Sequence, residues 1–145
     1  MRTIIVPLRL INLQDDGFHL LVEIVIFGKT HLAVVDTGAS RTVFDKAIID
    51  KHLTEVVIHE DPHEEDHQAT TLFTTSKANL ATFPVLKIGK LVLKEFTAVG
   101  LDLQSVNETY KQLGHPVIAA IIGGDILFRY HAVISYKKLS LNFYK

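Results

Sequence analysis

The apolar residues of this chain fall in short runs parted by turn residues, and long amphipathic stretches are few. Thr3 to Leu13 is rich in Ile, Val and Leu, and Asp15-Asp16-Gly17 then supplies turn chemistry. Phe18 to Phe27 is a second such run, closed by Gly28-Lys29, and Thr30 to Val35 is a third. Strands joined this tightly predict an antiparallel meander rather than a strand–helix–strand unit. Thr42 to Leu53 mixes apolar and charged residues, with Val43, Ala47, Ile48 and His52 on related faces of a predicted short helix. Phe83 to Ile88, Gly89-Lys90 and Leu91 to Phe96 read as a hairpin with a two-residue turn. Leu101 to Leu113 carries the strongest helical period, in Leu103, Val106, Tyr110 and Leu113, and Gly114 and Pro116 stop it. Val117 to Ile122 is a continuous apolar run ending at Gly123-Gly124, and His131 to Tyr136 with Leu139 to Tyr144 forms a closing hairpin. The pattern predicts a mainly β protein with one or two short helices.

Composition narrows the function classes. A chain of 145 residues with 48% hydrophobic and 21% charged residues has the balance of one globular domain, spanning residues 1–145. Lys and Arg number 15 against 16 Asp and Glu, a formal charge of -1 that lacks the electrostatic footprint of a nucleic-acid binder. No apolar run approaches the roughly 20 residues that span a bilayer, so no membrane partner is expected. Arg9 follows so soon after Met1 that no signal-peptide core can form between them, and a cytoplasmic location is expected. Cysteine is absent, which excludes disulfides, thiol catalysis and Cys-ligated metals.

One segment carries chemistry. In Leu32-Ala33-Val34-Val35-Asp36-Thr37-Gly38-Ala39-Ser40, an apolar strand delivers a carboxylate to its end, where small and hydroxyl residues follow at once. Gly38 lets the backbone turn sharply, and nearby hydroxyl and amide groups can orient the carboxylate. Asp-Thr-Gly alone is equally a strand leading to a helix cap at Ser40 or Thr42.

The extended pattern resembles the active-site loop of retropepsin-like (retroviral-type) aspartic proteases. Their second signature is two apolar residues, a glycine and a short helix. Ile121-Ile122-Gly123-Gly124-Asp125-Ile126-Leu127 matches it, with Gly123 lying 87 residues beyond Asp36. The resemblance implies a closed β-barrel of the acid-protease type, one lobe per chain, and an endopeptidase that needs no cofactor or metal. It makes Asp36 the catalytic residue, supported by Thr37, Gly38, Ala39 and Ser40. Ile122, Gly123 and Asp125 become structural members of the second motif, with Asp125 a helix-start carboxylate. Peptide hydrolysis by this route needs two carboxylates sharing one proton, and the chain offers a single Asp-Thr-Gly. The second Asp36 is therefore expected from another subunit of a homodimer acting on a peptide or protein. Retroviral members commonly carry an acidic residue in place of Ser40 and an Arg in place of Gly124. Without that ion pair, a Ser40–Asp125 hydrogen bond is the expected replacement.

Other features depart from the family or compete with it. Retropepsin flaps are glycine-rich, whereas residues 39–88 contain no glycine; the flap equivalent is expected between Val57 and Leu80. His59, His63 and His67 recur among acidic residues, but Pro62 breaks the helix that would align them, so an exposed loop is expected rather than a metal site. Gly38-Ala39-Ser40-Arg41-Thr42 lacks the last glycine of a serine-hydrolase elbow. The alternative in another class is a dimer of the same fold that binds peptides without cutting them. Leu139, Leu141 and Phe143 alternate with polar residues, and one or both chain termini are expected at the subunit interface.

Overall fold

The computed structural model describes residues 2–59, 68–70, 75–77 and 79–145, with backbone alone at 68–70 and 75–77. The first three strands, β1 (Thr3–Asn12), β2 (Phe18–Ile26) and β3 (Lys29–Val35), form the predicted meander. The β2–β3 turn is Phe27-Gly28, both with positive φ, so the last ladder pair is Ile26–Lys29. That places the turn one residue earlier than Gly28-Lys29. Positive φ at both central positions twists the connection with the strands, which is why glycine is favoured there.

The segment read as one helix is split. Val43–Asp45 is a strand, β4, and only Lys46–Lys51 is helical, α1. Val43 and Phe44 are fully buried between neighbours on either side, with Val43 opposite both Ile121 and Val99. A short apolar run fits a buried strand as well as a helix turn, and tertiary pairing decided the matter. Asp45 then caps α1 by accepting from the Ala47 N–H at 3.2 Å.

After β5 (Val57–His59) comes a small hairpin, β6 (Gln68–Thr70) with β7 (Thr75–Lys77). The predicted hairpin around Gly89-Lys90 is present and longer than its apolar pattern suggests, as β8 (Asn79–Ile88) and β9 (Leu91–Leu101). The helix α2 (Gln104–Gln112) follows, then β10 (Ala120–Ile122), α3 (Gly124–Arg129), β11 (Val133–Ser135) and β12 (Ser140–Tyr144). Of the apolar run from Val117, only the last three residues become strand. β10 is buried throughout, running parallel to β3 and antiparallel to β4, while β4 runs parallel to β9. Local turn signals cannot announce these parallel pairs, because their partners are distant in sequence.

The order β2-β3-β10-β4-β9-β8, closed by β8 pairing back onto β2, makes a six-stranded barrel. Alternation along its strands sends successive side chains to opposite faces. Val22, Ile24, Phe44, Phe83 and Ile122 fill the core on one face. Leu21, Val34, Val43 and Ile121 form a second cluster with Leu103, Val106 and Tyr110 from α2 and its approach. The helical stripe that identified α2 is thus the stripe that covers this outer wall. Asn107 fastens α2 further, donating to the Ile118 carbonyl and accepting from the Ile118 N–H at 3.1 and 2.8 Å.

The two terminal strands pair with each other. β12 has β11 along one edge and the first half of β1 along the other, and Arg2 and Lys145 exchange two backbone hydrogen bonds of 2.8 Å. β1 changes partner after Pro7, pairing with β12 up to that residue and with β2 from Leu8 onward. The terminal strands therefore satisfy each other within one subunit, and neither edge of β12 is open to a second copy. The apolar alternation of Leu141 and Phe143, both fully buried, is explained by the chain's own core.

Candidate active site

The β3 ladder ends at Val35, and Asp36 is the first residue beyond it. Its N–H donates to the Ile122 carbonyl at 3.0 Å, continuing the β3–β10 pairing by one step. The turn then closes through Ala39 N–H donating to the Asp36 carbonyl at 3.2 Å, while the Gly38 N–H donates to Asp36 Oδ1 at 2.8 Å. The carboxylate is consequently fixed by the loop it begins. Asp36 is 1% exposed, yet Thr37 and Gly38 beside it are exposed, as is Ser40, whereas Ala39 is buried. A groove of about 250 Å³ reaches the carboxylate, walled by His19, Thr37, Gly38, Ile134 and Tyr136.

The second motif lies under this loop. Gly124 N–H donates to the Ala39 carbonyl at 2.8 Å, joining the two motifs directly. A Cβ at Gly123 would meet the Arg41 carbonyl carbon and oxygen at 2.7 Å and the Ala39 oxygen at 2.9 Å. These are backbone atoms, so the position accepts glycine alone without moving the loop. Ile122 is fully buried in the barrel and contributes the carbonyl that holds the Asp36 amide.

Asp125 binds a different partner from the one expected. Its Oδ1 accepts from the Thr42 N–H at 2.9 Å, from the Thr42 hydroxyl at 2.7 Å and from the Ile126 N–H at 2.9 Å. Thr42 Oγ1 in turn accepts from the Gly123 N–H at 3.1 Å. Thr42, which is fully buried, thus ties the end of the Asp36 loop to the start of α3. The physical reason is placement: Ser40 sits on the exposed side of the loop, whereas Thr42 enters the barrel wall. The sequence offered Thr42 only as a possible cap, since its link to Asp125 spans 83 residues.

Two residues of the site were not anticipated. His19 on β2 lines the groove with Asp36, and its Nδ1 lies 2.6 Å from the Tyr110 hydroxyl of α2. Burial lowers the proton affinity of His19, partly opposed by the Asp36 charge. The Tyr110 phenol is held far above its ordinary range, first by burial and then by Asp36, so it keeps its proton. The signal was strand alternation: His19 is two residues before Leu21, on the face that Val34 and Asp36 share.

Among the described residues, the remaining sequence features do not line this groove. His59 ends β5 and its Nε2 lies 2.7 Å from the Thr82 hydroxyl, while His63 and His67 fall outside the described residues. The flap expected between Val57 and Leu80 includes β5 and the β6–β7 hairpin, whose connecting residues 71–74 are also outside them. A larger cavity of about 640 Å³, between β9, α3 and Lys145, is lined by neither Asp36 nor Thr37. No helix among the described residues is long and apolar enough to cross a membrane.

A closed barrel that presents one buried carboxylate on an Asp-Thr-Gly turn, cross-braced by an Ile-Ile-Gly strand, defines the acid-protease class. Sequence comparison agrees: the aspartyl protease family matches residues 22–126, and the chain belongs to that family. In fold it is similar to a retropepsin-like aspartic protease from Rickettsia conorii, with a TM-score of 0.53 at 20% identity. That alignment covers 98% of this chain and 88% of the other. No curated protein matches the sequence significantly.

Proposed function

We propose that this protein is an aspartic endopeptidase that works as a homodimer, with Asp36 from each subunit forming the catalytic pair. The observation that carries this reading is the buried Asp36 carboxylate, held by the Gly38 amide at the floor of a groove and flanked by the exposed Thr37 and Gly38. The reaction needs two carboxylates that share a proton, and each chain supplies one Asp-Thr-Gly. Thr37 and Gly38 form the exposed rim through which a second copy approaches.

In the paired site one Asp36 is ionised and draws a proton from a water held between the two. The protonated partner donates a hydrogen bond to the scissile carbonyl. Attack by the water gives a tetrahedral gem-diol, and return of the proton to the leaving nitrogen breaks the C–N bond. Gly38, with no side chain, lets an extended peptide backbone approach the carboxylates closely.

The test is incubation of the full chain with an unstructured protein across roughly pH 4–8, wild type beside Asp36→Asn. Cleavage by the wild type alone is expected. Equal cleavage by the two proteins would place the chemistry elsewhere. Peptide binding without cleavage by a dimeric wild type would favour a binding module of the same fold.

A further inference from the structure

We propose that His19 is a positioning residue of the Asp36 site, held in one tautomer by Tyr110 so that its other ring nitrogen serves the groove that Asp36 lines. The inference rests on the proteolytic reading of Asp36 and adds a residue to it. Its basis is geometric. The β2–β3 ladder ends at the pair Leu21–Val34, and the same register carried two residues further sets His19 opposite Asp36. Alternation puts both side chains on the face of Leu21 and Val34, where α2 packs. Both line the same groove.

Tyr110 decides which nitrogen of the ring carries the proton. The phenol is buried, keeps its proton, and has His19 Nδ1 within 2.6 Å. A buried hydroxyl needs an acceptor, and donation to Nδ1 leaves neutral His19 as the Nε2–H tautomer. The groove that Asp36 lines then holds an N–H donor at neutral pH and an imidazolium in acid. Both states favour negative charge in that groove, where the reaction builds it.

The other groups around His19 leave this coupling in place. β1 sets the apolar Ile11 opposite it, and Asp16 lines the cavity on its far side. His115 packs edge-on against Tyr110, with its Nε2 2.7 Å from the Asn12 carbonyl. Asp36 is the charge found to act on both His19 and Tyr110.

Two measurements test the proposal. In NMR titration of the intact protein, the His19 midpoint should fall by about half a unit or more in Asp36→Asn, which removes the charge that raises it. The ¹⁵N shifts should report the Nε2–H tautomer in the wild type and a mixture in Tyr110→Phe. An unchanged midpoint, or an Nδ1–H tautomer in the wild type, overturns the proposal. In cleavage assays, His19→Gln should move the acid limb of kcat/KM to higher pH by roughly half a unit or more, and Tyr110→Phe should move it in the same direction by less. A uniform loss at every pH would mean a merely structural role and also overturns it. If the wild type cleaves nothing while the titration shows the coupling, the protease reading fails and the His19–Asp36 coupling stands.

Discussion

The Asp36 carboxylate accepts a hydrogen bond from the Gly38 amide two residues ahead, so a tight turn helps to set its position. Asp36→Asn keeps the acceptor for that bond and, on the proposed mechanism, removes the proton that the pair shares. Turnover should drop by at least about a thousandfold, with circular dichroism and sedimentation unchanged. Thr42 is the second residue on which the site depends. Its hydroxyl donates to Asp125 and accepts from Gly123, so Thr42→Val strips both bonds from a fully buried position. Urea denaturation should register a loss of about 1–3 kcal/mol. Ser40→Ala should stay within about 0.5 kcal/mol of wild type, because Ser40 is exposed and Asp125 is held by Thr42. Equal costs at the two positions would contradict the assignment of Thr42 as the brace.

Among the elements, β12 and β10 show how much a short strand can hold. β12 is five residues long, yet it pairs on both edges and buries Leu141 and Phe143 completely. Phe143→Ala should destabilise the fold by about 3–5 kcal/mol, read from the thermal or urea midpoint. Deleting Asn142 to Lys145 should cost cooperative folding altogether, because β1 and β11 both lose their neighbour. A truncated chain that melts like the full one would mean that the terminal ladder is dispensable. β10 is shorter still, and it connects the two motifs by lying between β3 and β4. Its Ile122 carbonyl holds Asp36 while the next residue, Gly123, lets α3 start against the Asp36 loop.

For the whole molecule, burial of histidines links stability to pH. His19 and His31 both have lowered proton affinity in the fold; desolvation leads in each, and at His31 the His52, Lys29 and Lys51 charges add to it. Such a histidine binds its proton less readily when folded than when unfolded. Stability is therefore level above the ordinary histidine value of about 6.5 and falls as pH drops below it, until the folded form also protonates. The urea midpoint should decrease between about pH 7.5 and 5.5, and His31→Gln should flatten the slope. A midpoint that rises over this interval would reverse the sign of the argument. At the same scale, sedimentation should find a dimer at micromolar concentration or with a transition-state peptide analogue bound. A chain monomeric under both conditions would leave Asp36 without its partner.

The sequence by itself determined the mainly β class, the meander of β1 to β3, the α2 stripe and the Asp36 turn. Each of these depends on residues close together: strand alternation, turn glycines, helical spacing and a strand feeding an Asp-Thr-Gly. Resemblance supplied the second motif and its order. Tertiary structure alone decided what joins distant segments. It made Val43 and Phe44 a strand, because β9 and β10 are there to pair with them. It chose Thr42 over Ser40 as the partner of Asp125, since side-chain direction in a loop follows from the packing around it. It also placed the β2–β3 turn at Phe27-Gly28 rather than one residue later. That single step slides the ladder by two residues: Gly28-Lys29 would set Leu21 opposite Asp36, and the observed turn sets His19 there. A strand period is legible from local sequence, but its register is settled by the turn and by the core the two strands must share.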